Sequence, residues 1–93
     1  MSHFAVHYTY VSDATLLAEH RPAHRDFLRS LVGSGLVAAG AYPDAEEPAA
    51  LLIVEAETAD DVATMLERDP FLVQGAIARR RIQLWNPPIG IFA

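Results

Sequence analysis

The segment at residues 49–56, AALLIVEA, constrains the fold of this 93-residue chain more than any other. It is an almost unbroken apolar run of strand length, which is typical of a β-strand buried on both faces. Such a strand lies inside a sheet, and both faces of that sheet must then be covered. The chain is too short for two cores, so we expect a single domain over residues 1–93.

Three further segments alternate or favour β-structure, and they predict strands at residues 3–10, 36–41 and 77–85. With a helical segment after the first strand and another after the third, the order is β-α-β-β-α-β. This order indicates an α+β, ferredoxin-like fold, in which a four-stranded antiparallel sheet carries two helices on one face.

Local signals give the expected limits of the helices. The first helical stretch follows a turn or cap at Asp13, with Pro22 in the first turn of its main helix and Gly33 and Gly35 at its end. A capping-box pattern at Thr58 opens the second helix, which runs to about residue 68.

Two helices cover only one face of a four-stranded sheet, whereas the third strand is apolar on both faces. Hydrophobic residues make up 52% of the chain. A second copy of the chain is the simplest cover for the open face. The sequence therefore predicts a homodimer that packs sheet to sheet.

Composition excludes several classes of function. The net charge of −5 argues against a nucleic-acid partner, and the one basic run, residues 79–81, reads as a solvated strand edge. No cysteine is present for a disulfide, a thiol nucleophile or a cysteine-bound metal. No segment has the length of a membrane span, no signal-peptide pattern opens the chain, and no nucleotide-binding motif implies a cofactor. We expect a cytoplasmic protein without a membrane partner.

Each helix carries one ionisable residue in line with its apolar, sheet-facing row. The two rows are His24, Phe27, Leu28 and Leu31 in the first helix and Val62, Met65, Leu66 and Asp69 in the second. A carboxylate at the C-terminal end of a helix is unfavourable because that end carries a partial negative charge and burial removes solvation. A hydrogen bond or ion pair with a histidine ring would offset both effects. Taken singly, each residue also has an ordinary structural interpretation. His24 would be a core histidine with its hydrogen bonds satisfied, and Asp69 would be the residue before a proline that ends a helix.

The segments RPAHRDFLRSL, LVAAGAYPD, LLIVEAETADD, RDPFLVQGAI and IQLWNP resemble the YCII-related (YciI-like) family along almost the whole chain. The resemblance implies a ferredoxin-like fold that dimerises into an α/β barrel, and an active site built on a His–Asp pair at His24 and Asp69. It also links the chain to dehydrochlorinase-type chemistry on chlorinated ring compounds. The family usually has the sequence AGP where this chain has AGA at residues 39–41. The resemblance implies that this difference lies at the rim of the pocket.

These residues suit acid–base catalysis on a small molecule. Asp69 would orient the His24 ring and stabilise its imidazolium form, and the other ring nitrogen would take or give a proton. As possible substrate-binding residues we single out Arg21, for an anionic group, Gly40, for close approach of backbone, and His7, although a boundary position in the first strand suits His7 better.

Two alternatives stay open at this point. His20 and His24 have helical i, i+4 spacing, and Asp69 would complete a two-histidine, one-carboxylate metal site, but this pattern alone is weak evidence. The other alternative is a non-catalytic dimeric ligand-binding or interaction module, since a fold of this kind makes a cavity whether or not it turns anything over.

Overall fold

A four-stranded antiparallel sheet forms the frame of the protein in the computed structural model, which describes all 93 residues. The elements in chain order are β1 (Ser2–Tyr10), α1 (Ala14–Ser30), β2 (Leu36–Ala41), β3 (Ala49–Ala56), α2 (Ala59–Leu66), α3 (Pro70–Val73) and β4 (Ile77–Trp85). The spatial order of the strands is β2-β3-β1-β4. This architecture confirms the predicted ferredoxin-like α+β fold, with α3 as a short added turn before the last strand.

Alternation along the two central strands builds the core on one face of the sheet. In β1 this face carries Phe4, Val6 and Tyr8, all buried, because successive side chains of a strand point to opposite sides. The antiparallel register aligns Phe4 with Val54 and Val6 with Leu52 of β3. Leu28 of α1 and Val62 and Leu66 of α2 pack in the same core cluster, so both helices cover this face.

The other face of the sheet is only partly covered. Ile53 lies on it, 9% exposed, which agrees with the expectation that the third strand is apolar on both sides. The C-terminal tail folds back here, with the Phe92 ring 5.4 Å from His3 and 5.9 Å from Trp85 between ring centroids. Ile89 and Ile91 in the same tail remain 89% and 92% exposed. β4 forms one edge of the sheet, and its basic run is exposed, as predicted.

The first helix begins directly after Asp13, as predicted, but it is continuous to Ser30, and Pro22 lies inside it rather than in the first turn of its main part. Asp13 is the N-cap, its side chain accepting a hydrogen bond from the Leu16 amide at 3.1 Å. Burial of Leu17 in the preceding turns holds that part of the helix against the core. Packing thus outweighs the loss of one backbone hydrogen bond at the proline.

The helix ends at Ser30, and the glycines predicted to end it lie in the turn that follows. Both have left-handed backbone, Gly33 at φ 83° and Gly35 at φ 120°. Gly35 is the more constrained, because a Cβ atom there would overlap the side chain of Met65. No helix of the protein is both long and apolar enough to cross a membrane.

Candidate functional site

The structure brings together the two ionisable residues that the sequence places on the inward helical rows. His24 Nδ1 lies 2.7 Å from Asp69 Oδ1, a contact across 45 positions of sequence. The Asp69 side chain is wholly buried, and His24 is 6% exposed. Because a carboxylate oxygen can only accept, Nδ1 carries the proton and donates it, and in the neutral imidazole Nε2 is then the nitrogen with the lone pair.

Asp69 occupies a different place from the one predicted. The second helix ends at Leu66, and Asp69 is the N-cap of α3 rather than the last residue of α2. Its Oδ1 accepts from the Phe71 amide at 2.9 Å as well as from His24. A helix N-terminus favours a carboxylate, so the expected conflict with a helix C-terminus does not arise. Pro70 fits directly behind it, since the first helical position needs no amide donor.

Aromatic rings hold the imidazole in place. The Phe71 ring stacks on His24 with centroids 4.0 Å apart and planes 9° apart. Tyr10 meets the imidazole edge-on at 6.4 Å. The hydrogen bond to Asp69 and this stacking together fix both the position and the rotation of the ring, which is the preorganisation that a proton-transferring histidine requires.

Two buried polar atoms near this pair have no hydrogen-bond partner in the protein: Asp69 Oδ2 and the Tyr8 hydroxyl oxygen. Burial raises the pKa of Tyr8 well above that of an ordinary phenol, and the charge of Asp69 raises it further. Tyr8 therefore stays protonated and able to donate. The sequence analysis did not single out Tyr8 or Tyr10 as site residues; their hydroxyl groups in a strand of mostly apolar side chains were the overlooked signal.

A cavity of about 690 Å³ opens beside His24, between α1 and the strands β2 and β3. One wall of the cavity is formed by β2, whose sequence is Leu-Val-Ala-Ala-Gly-Ala. Its small side chains leave the space beside the strand unfilled. Tyr10 and Phe71 line the cavity next to the imidazole. The volume suits a small organic molecule, and the lining is mostly apolar with a few polar groups, as in ligand-binding pockets generally.

The other residues singled out from the sequence separate into two groups. Arg21 and Gly40 line the cavity, together with His24. His7 does not line it: this residue lies on the opposite face of the sheet, where its Nδ1 is 3.4 Å from the Tyr42 hydroxyl oxygen. The structure therefore brings His24, Arg21 and Gly40 to one cavity, with Asp69 buried and bound to His24, and places His7 elsewhere.

The metal-site alternative has no geometry to support it. His20 Nε2 lies beside Glu19, 4.0 Å from its carboxylate, and not beside Asp69. No three histidine or carboxylate side chains converge at any point of the chain in an arrangement that could hold a metal ion.

Known proteins with this fold provide the context. A dehydrochlorinase, the 5-chloro-2-hydroxyhydroquinone dehydrochlorinase TftG from Burkholderia phenoliruptrix AC1100 in complex with 2,5-dihydroxybenzoquinone, matches with a TM-score of 0.77 and 23% identity over 90% of this chain and 93% of that chain. A candidate antibiotic biosynthesis monooxygenase from Nitrosomonas europaea matches with a TM-score of 0.57 and 18% identity over 95% and 93%. Protein Atu4242 from Agrobacterium tumefaciens matches with a TM-score of 0.54 and 14% identity over 94% and 93%.

At this level of identity the three structures establish a shared fold. No curated protein sequence is significantly similar to the chain. The sequence pattern of the YCII-related domain, by contrast, matches residues 1–86, which includes every strand and helix described above. The chain therefore belongs to the YCII-related family.

Proposed function

We propose that this protein is a small-molecule enzyme in which His24 exchanges a proton with a ligand in the cavity while Asp69 orients the imidazole ring. One observation carries the proposal: Nδ1 is bound to a buried carboxylate, and the same ring lines a cavity of ligand size. The fold uses one nitrogen of the ring, and the second has no protein partner. A base held in this way is the central requirement of acid–base catalysis.

The reaction class we favour is a lyase reaction of the dehydrochlorinase type. His24 Nε2 would remove a proton from a carbon or hydroxyl group of the ligand. In a chlorinated hydroquinone this step follows tautomerisation to the keto form, which moves a hydroxyl proton to the chlorine-bearing carbon and makes that carbon sp3. The electron pair released by proton removal would then form a new double bond, and chloride would leave with the electrons of the broken carbon–chlorine bond. The proton then passes from His24 to water, so the net change is loss of HCl without any oxidant. The structural similarity to a dehydrochlorinase supports this choice of reaction.

The working form of the protein is, in our proposal, a homodimer packed through the open sheet face. Trp85 of β4, 38% exposed, and the exposed Ile89 and Ile91 of the tail offer apolar surface that a second copy would cover. His7 would then lie at or near the interface, beside Tyr42, which also lines the cavity. Light scattering should give twice the chain mass of 10.2 kDa, and Ile91→Asp should give the monomer. A wild-type monomer at micromolar concentration would contradict the dimer.

His24→Asn is the sharpest test of the catalytic role. The asparagine amide lies close to the position of Nδ1 and can still donate to Asp69, but it has no counterpart of Nε2. We expect this variant to keep its far-UV circular dichroism and to lose at least about 100-fold in turnover, the usual contribution of a general base. Turnover is measured as chloride release from chlorinated hydroquinones. His20→Asn, on the same helix but outside the cavity, is the matched control.

Undiminished chloride release by a folded His24→Asn variant would refute the proposed role of the imidazole. The competing function, a ligand-binding module, makes a different prediction. In that case wild type and His24→Asn would bind the same ring compounds, and neither would release chloride or exchange ligand protons with deuterated solvent.

A further inference from the structure

We infer that the cavity takes an organic anion, a small ring compound bearing a carboxylate group, and that Arg21 and Arg25 of α1 bind its charged end. This assignment deepens the function proposed above by naming the substrate class, and it rests on the same cavity. Its evidence is nevertheless separate, because it comes from the charges around the cavity mouth and not from the His24–Asp69 pair.

Arg21 occupies an inward position of the helix. The row Leu17, Arg21, His24 and Leu28 follows steps of four, three and four, and the other three members are buried. Arg21 itself is exposed, so its guanidinium stands at the opening of the cavity where a ligand can reach it. Arg21 forms no salt bridge within the chain and lines the cavity. The helix therefore presents an unpaired cation beside His24.

Arg25 and Arg29 continue the line at helical i, i+4 spacing, and both also line the cavity. Like charges at this spacing repel each other, and an anion between them relieves the repulsion. Arg29 already has a partner, since its guanidinium lies 3.3 Å from the Asp26 carboxylate. Arg25 has none. The free cations of the row are thus Arg21 and Arg25, at the end nearer to His24.

This concentration of positive charge stands out in a chain whose net charge is −5. The chain has no lysine, so its seven permanent cations are all arginines, whose planar fork pairs well with a carboxylate. Glu46 is the single acidic residue that lines the cavity, and it belongs to the connection between β2 and β3, across from α1. The mouth is therefore polarised, with the cations on the helix side.

Tyr10 links the anion position to the imidazole. Burial raises the pKa of Tyr10 to about 12, the charge of Asp69 adds to the rise, and the Arg21 guanidinium opposes it. The phenol is thus a hydrogen-bond donor at neutral pH and lies within the electrostatic reach of Arg21. Tyr10 also contacts the His24 ring edge-on. An anion held by Arg21 would therefore place its ring against the apolar wall with its edge towards His24.

Benzoate and benzamide are the probes, because they share a ring and differ in charge. Binding is followed by isothermal titration calorimetry or amide chemical shifts. We expect benzoate to bind at least about tenfold more tightly than benzamide, which corresponds to about 1.4 kcal/mol. Arg21→Gln and Arg25→Gln should each weaken benzoate severalfold and leave benzamide unchanged. Arg68→Gln, an exposed arginine outside the cavity, should change neither.

Equal affinity for benzoate and benzamide, no benzoate binding at millimolar concentration, or benzoate binding that is insensitive to both arginine variants would each overturn the assignment. His24→Asn separates this assignment from the proposed reaction. If benzoate binding persists there and in wild type while no substrate turns over, the anion site stands and the catalytic proposal fails. If neutral compounds are turned over and benzoate does not bind, the catalytic proposal stands and the anion site fails.

Discussion

Replacing Asp69 by alanine should destabilise the protein more than the loss of any other helix cap. Its Oδ1 accepts two hydrogen bonds, from His24 Nδ1 at 2.7 Å and from the Phe71 amide at 2.9 Å. Both donors are left without an acceptor in the variant. A hydrogen bond to a charged group contributes about 1.5–3 kcal/mol, so the two together contribute about 3–6 kcal/mol.

A compensating gain reduces this figure. The wild-type carboxylate is wholly buried and its Oδ2 has no partner, so folding already pays a desolvation cost that alanine removes. We therefore expect a net loss of about 3 kcal/mol in the free energy of unfolding. For a domain of this size that loss lowers Tm by about 12–24 °C.

The matched control is Asp13→Ala. Asp13 also caps a helix through its side chain, at 3.1 Å from the Leu16 amide, but it is exposed and has no histidine partner. Loss of an exposed cap costs about 1 kcal/mol. The difference of about 2 kcal/mol between the two variants measures what burial and His24 add to an ordinary cap.

A double-mutant cycle assigns that difference to the pair itself. Asp69→Ala, His24→Ala and the double variant are unfolded in urea at one protein concentration, since dimerisation would shift the midpoints, and followed by circular dichroism. We expect a coupling free energy of about 1.5–3 kcal/mol. A coupling below about 0.5 kcal/mol, the usual error of additivity, would refute the argument that the Nδ1–Oδ1 contact holds α3 against α1.

Three further predictions concern other elements. Tyr10→Phe should lose less stability than the wild type as the pH rises from 10 to about 12. In the wild type the folded phenol keeps its proton over this range while the unfolded phenol ionises, which favours unfolding; urea midpoints on either side of pH 10 measure this difference. Pro22→Ala restores a backbone hydrogen bond inside α1 and should raise the free energy of unfolding by about 1–3 kcal/mol, seen as a higher Tm. Gly35→Ala should cost about 1–3 kcal/mol in urea, because its left-handed backbone and the Met65 side chain exclude a Cβ; Gly40→Ala, which meets nothing, is its control.

The strands were predictable because their signals are local. The apolar run of β3 and the alternation in β1 each specify burial through neighbours one or two residues away. The place of Pro22 in α1 was wrong because two local signals conflict, the cap at Asp13 and the proline at residue 22. Only the packing of Leu17 against Phe71, far along the chain, decides between them.

The candidate site was predictable in its members but not in its geometry. Helical periodicity placed His24 correctly, but it selected Asp69 only by extending the row of α2 beyond the end of that helix, and the family resemblance paired the two. The sequence after Pro70 did not decide between an irregular turn and the short helix α3, because α3 is stabilised by contacts with α1 rather than by its own sequence. A cavity was expected from the fold, but its walls could not be derived for a similar reason: the small residues 38–41 indicate unfilled volume only when it is known that α1 passes over them.

The two nitrogens of His24 divide stability and chemistry between them. Nδ1 belongs to the fold, since its bond to Asp69 ties α3 to α1 and orders Phe71 against the imidazole. Nε2 contributes nothing to that arrangement, which leaves its lone pair free for a ligand. A variant that removes the whole ring therefore changes both properties at once, and loss of activity in it would not identify a base. Only a substitution that keeps the donor and deletes the acceptor separates them, because the physical roles are divided within one side chain.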